Sequence, residues 1–140
     1  AVIWRFGGLA GQFTILNDPS GLFERQHGVR WAGTDRIQML DIADSPPSRF
    51  VRYFLDTTAM TATLEWEFID SPTTYGNVGG SSQYHPDGHG TVSFGRAGRI
   101  VEVDGSGNKV WELTGLDNAY AFRVQRLGSL YTAGRGEPTR

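Results

Sequence analysis

No cysteine occurs in this chain of 140 residues, which rules out disulfides and thiolate metal sites. Lysine is almost missing as well: Lys109 stands alone against twelve arginines, and the formal charge is −2. With acids in slight excess there is no basic surplus to hold a phosphate backbone, so no nucleic-acid partner is expected. No apolar run approaches the ~18 residues of a membrane-spanning helix, so no membrane span is expected either. Helical periodicity is absent too. The apolar residues alternate or gather in short β-branched and aromatic groups with Gly or Pro between them, which points to an all-β class. The serine-hydrolase elbow G-x-S-x-G and the phosphate loop G-x-x-x-x-G-K-[ST] are both missing.

What is present is a recurring tryptophan phrase: Ile3-Trp4-Arg5-Phe6, Glu65-Trp66-Glu67-Phe68 and Val110-Trp111-Glu112-Leu113. The second and third copies follow aspartate-led turns, Asp56-Thr57-Thr58 and Asp104-Gly105-Ser106-Gly107, and their tryptophans lie 45 residues apart. That interval is typical of propeller blades, so the expected fold is a partial β-propeller of four-stranded antiparallel blades. At ~45 residues per blade the chain holds about two to three blades, whereas propellers close with 4–8. An open arc exposes strand edges. The remaining blades are therefore expected from copies of this chain or from another polypeptide. Residues 2–6 read as the end of a blade whose beginning is absent, as in a piece of something longer.

Turn chemistry and strand composition divide the chain into a propeller region over 1–134 and a solvated tail over 135–140. Within it, 1–6 is the end of a preceding blade, 27–68 one blade, 79–113 the next, and 119–132 closing strands. Residues 7–20 are rich in Gly, Asn, Asp and Pro and read as a connecting loop, with Phe13, Ile15 and Leu16 packing beneath it.

Several phrases, in order, resemble the arylsulfotransferase propellers that move a sulfuryl group from an aryl sulfate without a nucleotide donor. Trp4-Arg5-Phe6-Gly7-Gly8 is similar to W-x-L-G-G, and Phe23-Glu24-Arg25-Gln26-His27-Gly28-Val29-Arg30 to F-x-x-Q-H-D-x-R, with Gly28 in place of the aspartate. Leu40-Asp41-Ile42 stands for F-D-N and Ser48-Arg49 for S-R. The stretch from Gly80 through Gln83 and His85 to His89 looks like G-S-x-Q-x-L-P-x-G-N. Val101-Glu102-Val103-Asp104 resembles T-E-Y-D, and Tyr120-Ala121-Phe122-Arg123 the terminal Y-R-x-x-R. The resemblance covers most of the chain and implies the carboxy-terminal part of a roughly six-bladed ring. It also implies sulfuryl transfer from an aryl sulfate to a phenol without a cofactor, in an extracytoplasmic compartment. The same phrases leave a second reading open, a non-catalytic propeller serving as a structural, interaction or ligand-binding module in an extracellular assembly.

By that resemblance His27 carries the sulfuryl group and Arg49 holds its oxygens, Arg30 is a candidate substrate contact, and Gln83 stands for substrate binding where the family has a histidine; Trp31, close to His27, is a candidate aryl wall. An imidazole at the start of an innermost strand is a competent nucleophile near neutral pH, and a guanidinium fork suits sulfate. Each residue has a plainer alternative. His27 can hydrogen-bond backbone at a blade entrance, Arg49 can pair with Asp44 or Asp56, and Trp31 can simply pack. His85, Asp87 and His89 have metal-ligand spacing but enclose Pro86 and Gly88, so they read as a turn and no metal is expected. Asp104-Gly105-Ser106-Gly107-Asn108 lacks the spaced acids of a calcium loop. Glu65 and Glu67, two apart on a strand, read as one solvated face, and Trp66 and Trp111 read as inter-blade core.

Overall fold

The computed structural model describes residues 1–45, 47–116 and 119–127. Among the described residues there is no helix, and nine strands form two sheets. The first sheet contains β1 (Thr14–Leu16), β2 (His27–Trp31), β3 (Arg36–Asp41), β4 (Arg49–Asp56) and β5 (Thr61–Ile69), in the order β1-β5-β4-β3-β2. The second contains β6 (Ser81–Tyr84), β7 (Gly90–Ser93), β8 (Ile100–Val103) and β9 (Lys109–Leu113), in sequence order. Every consecutive pair from β2 to β5 and from β6 to β9 is antiparallel. The two antiparallel runs span residues 27–69 and 81–113. The chain is thus all-β, in a form compatible with two blades of a propeller.

Several expectations are corrected. Residues 3–6 form no strand, although Trp4 and Phe6 pack against the first sheet. Residues 14–16, expected as loop, pair in parallel with β5, Thr14 opposite Thr61 and Leu16 opposite Thr63. Phe13 and Ile15 pack inward as expected, but Leu16 is exposed. Residue 121 makes a single bridge with Gly95 rather than a strand. The expected strand at 129–132 and the tail at 135–140 lie outside the described residues.

β4 explains why the first sheet is central. Its sequence Arg-Phe-Val-Arg-Tyr-Phe-Leu-Asp has bulky apolar residues on both faces, as suits a strand covered on both sides. Phe50 joins Leu40, Ile42 and Phe68 against Val92, Phe94, Val101 and Val103 of the second sheet. On the opposite face Val51, Tyr53 and Leu55 join Ile37, Met39 and Ala62, covered by Trp4, Phe6, Phe13, Ile15 and Phe23. Each such side chain removed from water contributes about 1.5–3 kcal/mol. Gly90 lets the sheets meet closely, because a Cβ there would lie 2.6 Å from Cε1 of Phe50.

The two tryptophan strands repeat in detail. On β5 the register shifts so that Trp66 opposes Arg52 while Leu64 opposes Tyr53, leaving Glu65 as the extra residue. On β9 Trp111 opposes Glu102 while Lys109 opposes Val103, leaving Val110 extra. Both tryptophans thus follow a β-bulge on the fourth strand of the unit. In the preceding turns Asp56 accepts hydrogen bonds from the amides of Thr58 and Ala59, and Asp104 from those of Ser106 and Asn108. This is the side-chain turn mimicry that favours Asp there.

Trp66 faces the second sheet, edge-on to Phe50 at 5.1 Å. Trp4 stands in the same relation to the first sheet, within the cluster that covers its outer face. Trp111 departs from expectation. It is 50 % exposed rather than buried, because among the described residues no third sheet lies beyond it.

Candidate functional site

β2 begins at His27, forms one edge of the first sheet and runs beside β6. Its register shifts between His27 and Arg30: His27 opposes Leu40 and Arg30 opposes Gln38. Leu40 and Gln38 both face the second sheet, Leu40 in the shared core and Gln38 accepting a hydrogen bond from the Tyr84 amide at 2.7 Å. The bulge therefore brings His27 and Arg30, three residues apart, onto one face, which simple alternation would forbid. Gly28 makes this possible. Its φ is +61°, and a Cβ there would come within 2.9 Å of the Ser81 Cα. An aspartate at this position, as in the resembling family, would be excluded by the same contact.

His27 Nδ1 lies 2.8 Å from the carbonyl oxygen of Arg25. A carbonyl only accepts, so Nδ1 is the donor in this contact, and in the neutral imidazole that tautomer leaves the lone pair on Nε2. Arg25, itself at φ 53°, is anchored by its Nη2 donating to the Asn77 carbonyl at 2.7 Å. That contact ties the entrance of β2 to the linker between the sheets and fixes the carbonyl that orients the imidazole.

Arg123 lies in the segment that reaches this corner, and sequence reasoning gave it no role. The Val124 amide donates to Ser81 Oγ at 3.0 Å, bringing the carboxy-terminal segment to the spot where β6 meets Gly28. Arg30 is half-buried, and burial followed by the nearby charge of Arg123 lowers its pKa from the ordinary value. The sequence signal was the arginine of the terminal Tyr-Ala-Phe-Arg phrase, whose proximity to Arg30 depends on a long-range fold contact.

The other expected residues lie elsewhere. Trp31 opposes Ile37, so it faces away from the second sheet, 54 % exposed and edge-on to Trp4 at 6.2 Å. Gln83 is on the far side of β6 from the shared core, where its Oε1 accepts the Arg126 amide. Arg49 opposes Asp41, on the face of the first sheet opposite to His27. The structure thus brings His27 and Arg30 together and does not bring either to Arg49, Trp31 or Gln83.

Arg49 occupies a buried network of its own. Its Nε donates to Asp41 at 2.8 Å, Nη1 to Asp18 at 2.8 Å and to Glu67 at 3.2 Å, and Nη2 to Asp18 at 3.0 Å. Tyr53 adds a short hydrogen bond to Asp18. These carboxylates, rather than Asp44 or Asp56, are its partners. Burial on its own would raise the Asp18 carboxyl, but hydrogen bonds from Arg49, Tyr53 and the Ser20 amide outweigh it and hold the pKa below the usual range. Burial and the Asp18 hydrogen bond push the Tyr53 phenol far above its ordinary range. Asp41 and Arg49 also line a groove of about 440 Å³ beside Glu24 and Asp44. Three carboxylates around one guanidinium make this face acidic, and every Arg49 nitrogen is engaged.

His85 and His89 lie at the β6–β7 turn. His85 Nε2 meets Thr91 Oγ1 at 2.6 Å and His89 Nδ1 meets Glu102 Oε1 at 2.9 Å. No metal-holding cluster exists among the described residues. Glu65 and Glu67 do not share a face. The bulge directs Glu65 to Arg36 and Arg52, and Glu67 to Arg49 on the other side. Comparison with protein-family models and with curated proteins found no match.

Proposed function

We propose that the chain supplies two consecutive blades of a larger β-propeller and works as a non-catalytic interaction module whose Trp111 face packs on a further blade. One observation carries this. Trp66 and Trp111 follow the same bulge on the last strand of each sheet; Trp66 covers the next sheet, whereas Trp111 is half-exposed with Val110 and Leu113 beside it. Completion comes from copies of this chain or from another blade-rich polypeptide, in an extracytoplasmic assembly. Light scattering of the purified chain, with intact mass measurement of whatever co-purifies, tests it. We expect a particle well above 15.4 kDa that dissociates on Trp111→Asp. A compact monomer unaffected by that substitution overturns the reading.

A second reading is sulfuryl transfer of the arylsulfotransferase type, favoured by the Nε2 of His27, which no described residue engages. Nε2 would attack sulfur as the S–O bond to the aryl oxygen breaks and a phenolate leaves. An acceptor phenol would then take the sulfuryl group from the imidazole and release its proton. Arg30, on the same face, is the cation available to the sulfate oxygens, since Arg49 is fully engaged. Release of nitrophenol from nitrophenyl sulfate, lost in His27→Ala and retained in His89→Ala, is the expected result. Equal rates in the two variants would sink it.

A further inference from the structure

The two sheets form a stack whose ends are apolar but unlike. In the second sheet Val92, Val101 and Val103 face the first. The alternate residues of the same strands, Thr91 and Glu102, lie on the far side in register with Trp111. There Val110, Trp111 and Val124 wall a groove of about 420 Å³, and Leu113 is exposed beside it. At the opposite end Trp4, Phe6, Phe13 and Ile15 cover the first sheet, and this cover has an apolar back. Trp4 and Phe6 pack inward, whereas Val2 and Ile3 are exposed, Ile3 to 90 %, and Trp31 stands exposed against Trp4. The segment is fixed, because the Arg5 amide donates to Gln12 Oε1 and the Gln12 amide to the Arg5 carbonyl, both at 2.9 Å. Apolar side chains on a backbone already held lose little entropy when a partner covers them. The ends also differ in charge. Beside the groove Asp87 and Glu102 share the one guanidinium of Arg126, whereas Arg5 has no carboxylate within 4.0 Å among the described residues.

Two copies meeting through the same end would cover one apolar face each and leave the other in water. A head-to-tail contact covers both kinds of face and sets the acidic side of the groove against Arg5. We propose that copies of this chain associate head to tail, the Trp111 groove of one copy receiving Ile3 of the next, with Val2 and Trp31 beside it. This rests on the reading of Trp111 as a packing face and names what packs there. The amino-terminal segment is then a layer between its own first sheet and the second sheet of the preceding copy. Because the two surfaces differ, the contact is heterologous: it does not close on two copies and repeats until a ring forms.

Sedimentation velocity of the full 140-residue chain and of two variants tests the proposal. Trp111→Asp spoils one end of the stack and Ile3→Asp the other, and both positions are exposed enough for the fold to tolerate the change. The parent should form a particle of more than two chains. Each variant alone should sediment as a single chain of 15.4 kDa with the parental far-ultraviolet circular dichroism. Their equimolar mixture should form a two-chain particle and nothing larger, since it holds only one intact pair of ends. Leu113→Asp and Val2→Asp should repeat this behaviour, so that the folding of no single variant decides the outcome. A parental dimer that Ile3→Asp leaves intact, or a mixture that stays monomeric, would overturn the proposal. A monomeric parent that binds a different co-purifying chain through Trp111 would overturn it too, but would leave the reading of Trp111 as a packing face standing. A parent whose mass Trp111→Asp does not change would end both.

Discussion

The outer faces of the two sheets are covered differently, although the sheets share one strand plan and one bulge. On the first, Trp4, Phe6, Phe13, Ile15 and Phe23 lie over Ile37, Met39, Val51 and Tyr53, with the Arg49 network beside them. On the second, residues 121–126 make polar contacts: Ser93 Oγ to the Ala121 carbonyl, the Val124 amide to Ser81, the Arg126 amide to Gln83 and the Arg126 guanidinium to Asp87 and Glu102. An apolar cover is stabilised by burial and does not exchange readily. A polar cover loses little to water when it lifts. The difference separates a finished interface from one able to accept a partner.

The largest test of that contrast is Arg49→Ala. It leaves Asp18, Asp41 and Glu67 facing one another with no cation, so we expect a loss of about 3–5 kcal/mol in urea unfolding. Its counterpart on the second sheet, Arg126→Ala, breaks pairs with Asp87 and Glu102 that stand partly in solvent, and should cost less than ~1 kcal/mol. Comparable losses in the two variants would abolish the distinction.

The tryptophans sharpen it further. Trp66→Ala removes the ring against Phe50 and opens a cavity between the sheets, for about 2–3 kcal/mol. Trp111→Ala should change the stability of the isolated chain by less than ~0.5 kcal/mol while reducing self-association. Equal destabilisation by both would mean that Trp111 is already covered.

Strand positions were legible in the sequence because alternation and turn residues are local signals. Asp56 and Asp104 mark the last hairpin of each unit, and the strands expected around Ile37, Phe50, Thr61 and Ile100 are present. The side on which a residue falls was far less legible. A bulge adds one residue and reverses every parity argument after it. That single effect separates Glu65 from Glu67, joins His27 to Arg30 and puts Arg49 on the opposite face from His27. Gly28 carried a hint, since a glycine within a strand often marks a bulge. The partners of Arg49 were hidden for another reason: Asp18 lies 31 residues away in a segment whose Gly and Pro content reads as loop. The meeting of Gly28 with Ser81, and of Ser81 with Val124, combines both difficulties, a bulge and a contact between distant segments.

A polar clamp also holds the sheets to each other. Asp70, just beyond β5, accepts from Arg99 Nε at 2.6 Å and Thr74 Oγ1 at 2.7 Å, and lies 3.3 Å from Lys109 Nζ. Burial would raise its carboxyl, but the hydrogen bonds from Thr74 and Arg99 prevail and keep its pKa below the ordinary value. A carboxyl depressed in the folded state contributes stability that is present above its unfolded pKa and lost as pH falls through the folded one. Stability should therefore be nearly level from neutral pH to about 5 and fall below about 4. Asp70→Asn should remove part of that acid slope and cost about 1–2 kcal/mol at neutral pH, whereas Asp18→Asn should remove a further, independent part from the first sheet alone. If urea midpoints of Asp70→Asn follow the parental pH profile without change, the clamp does not join the sheets, and their apolar interface around Phe50 does so alone.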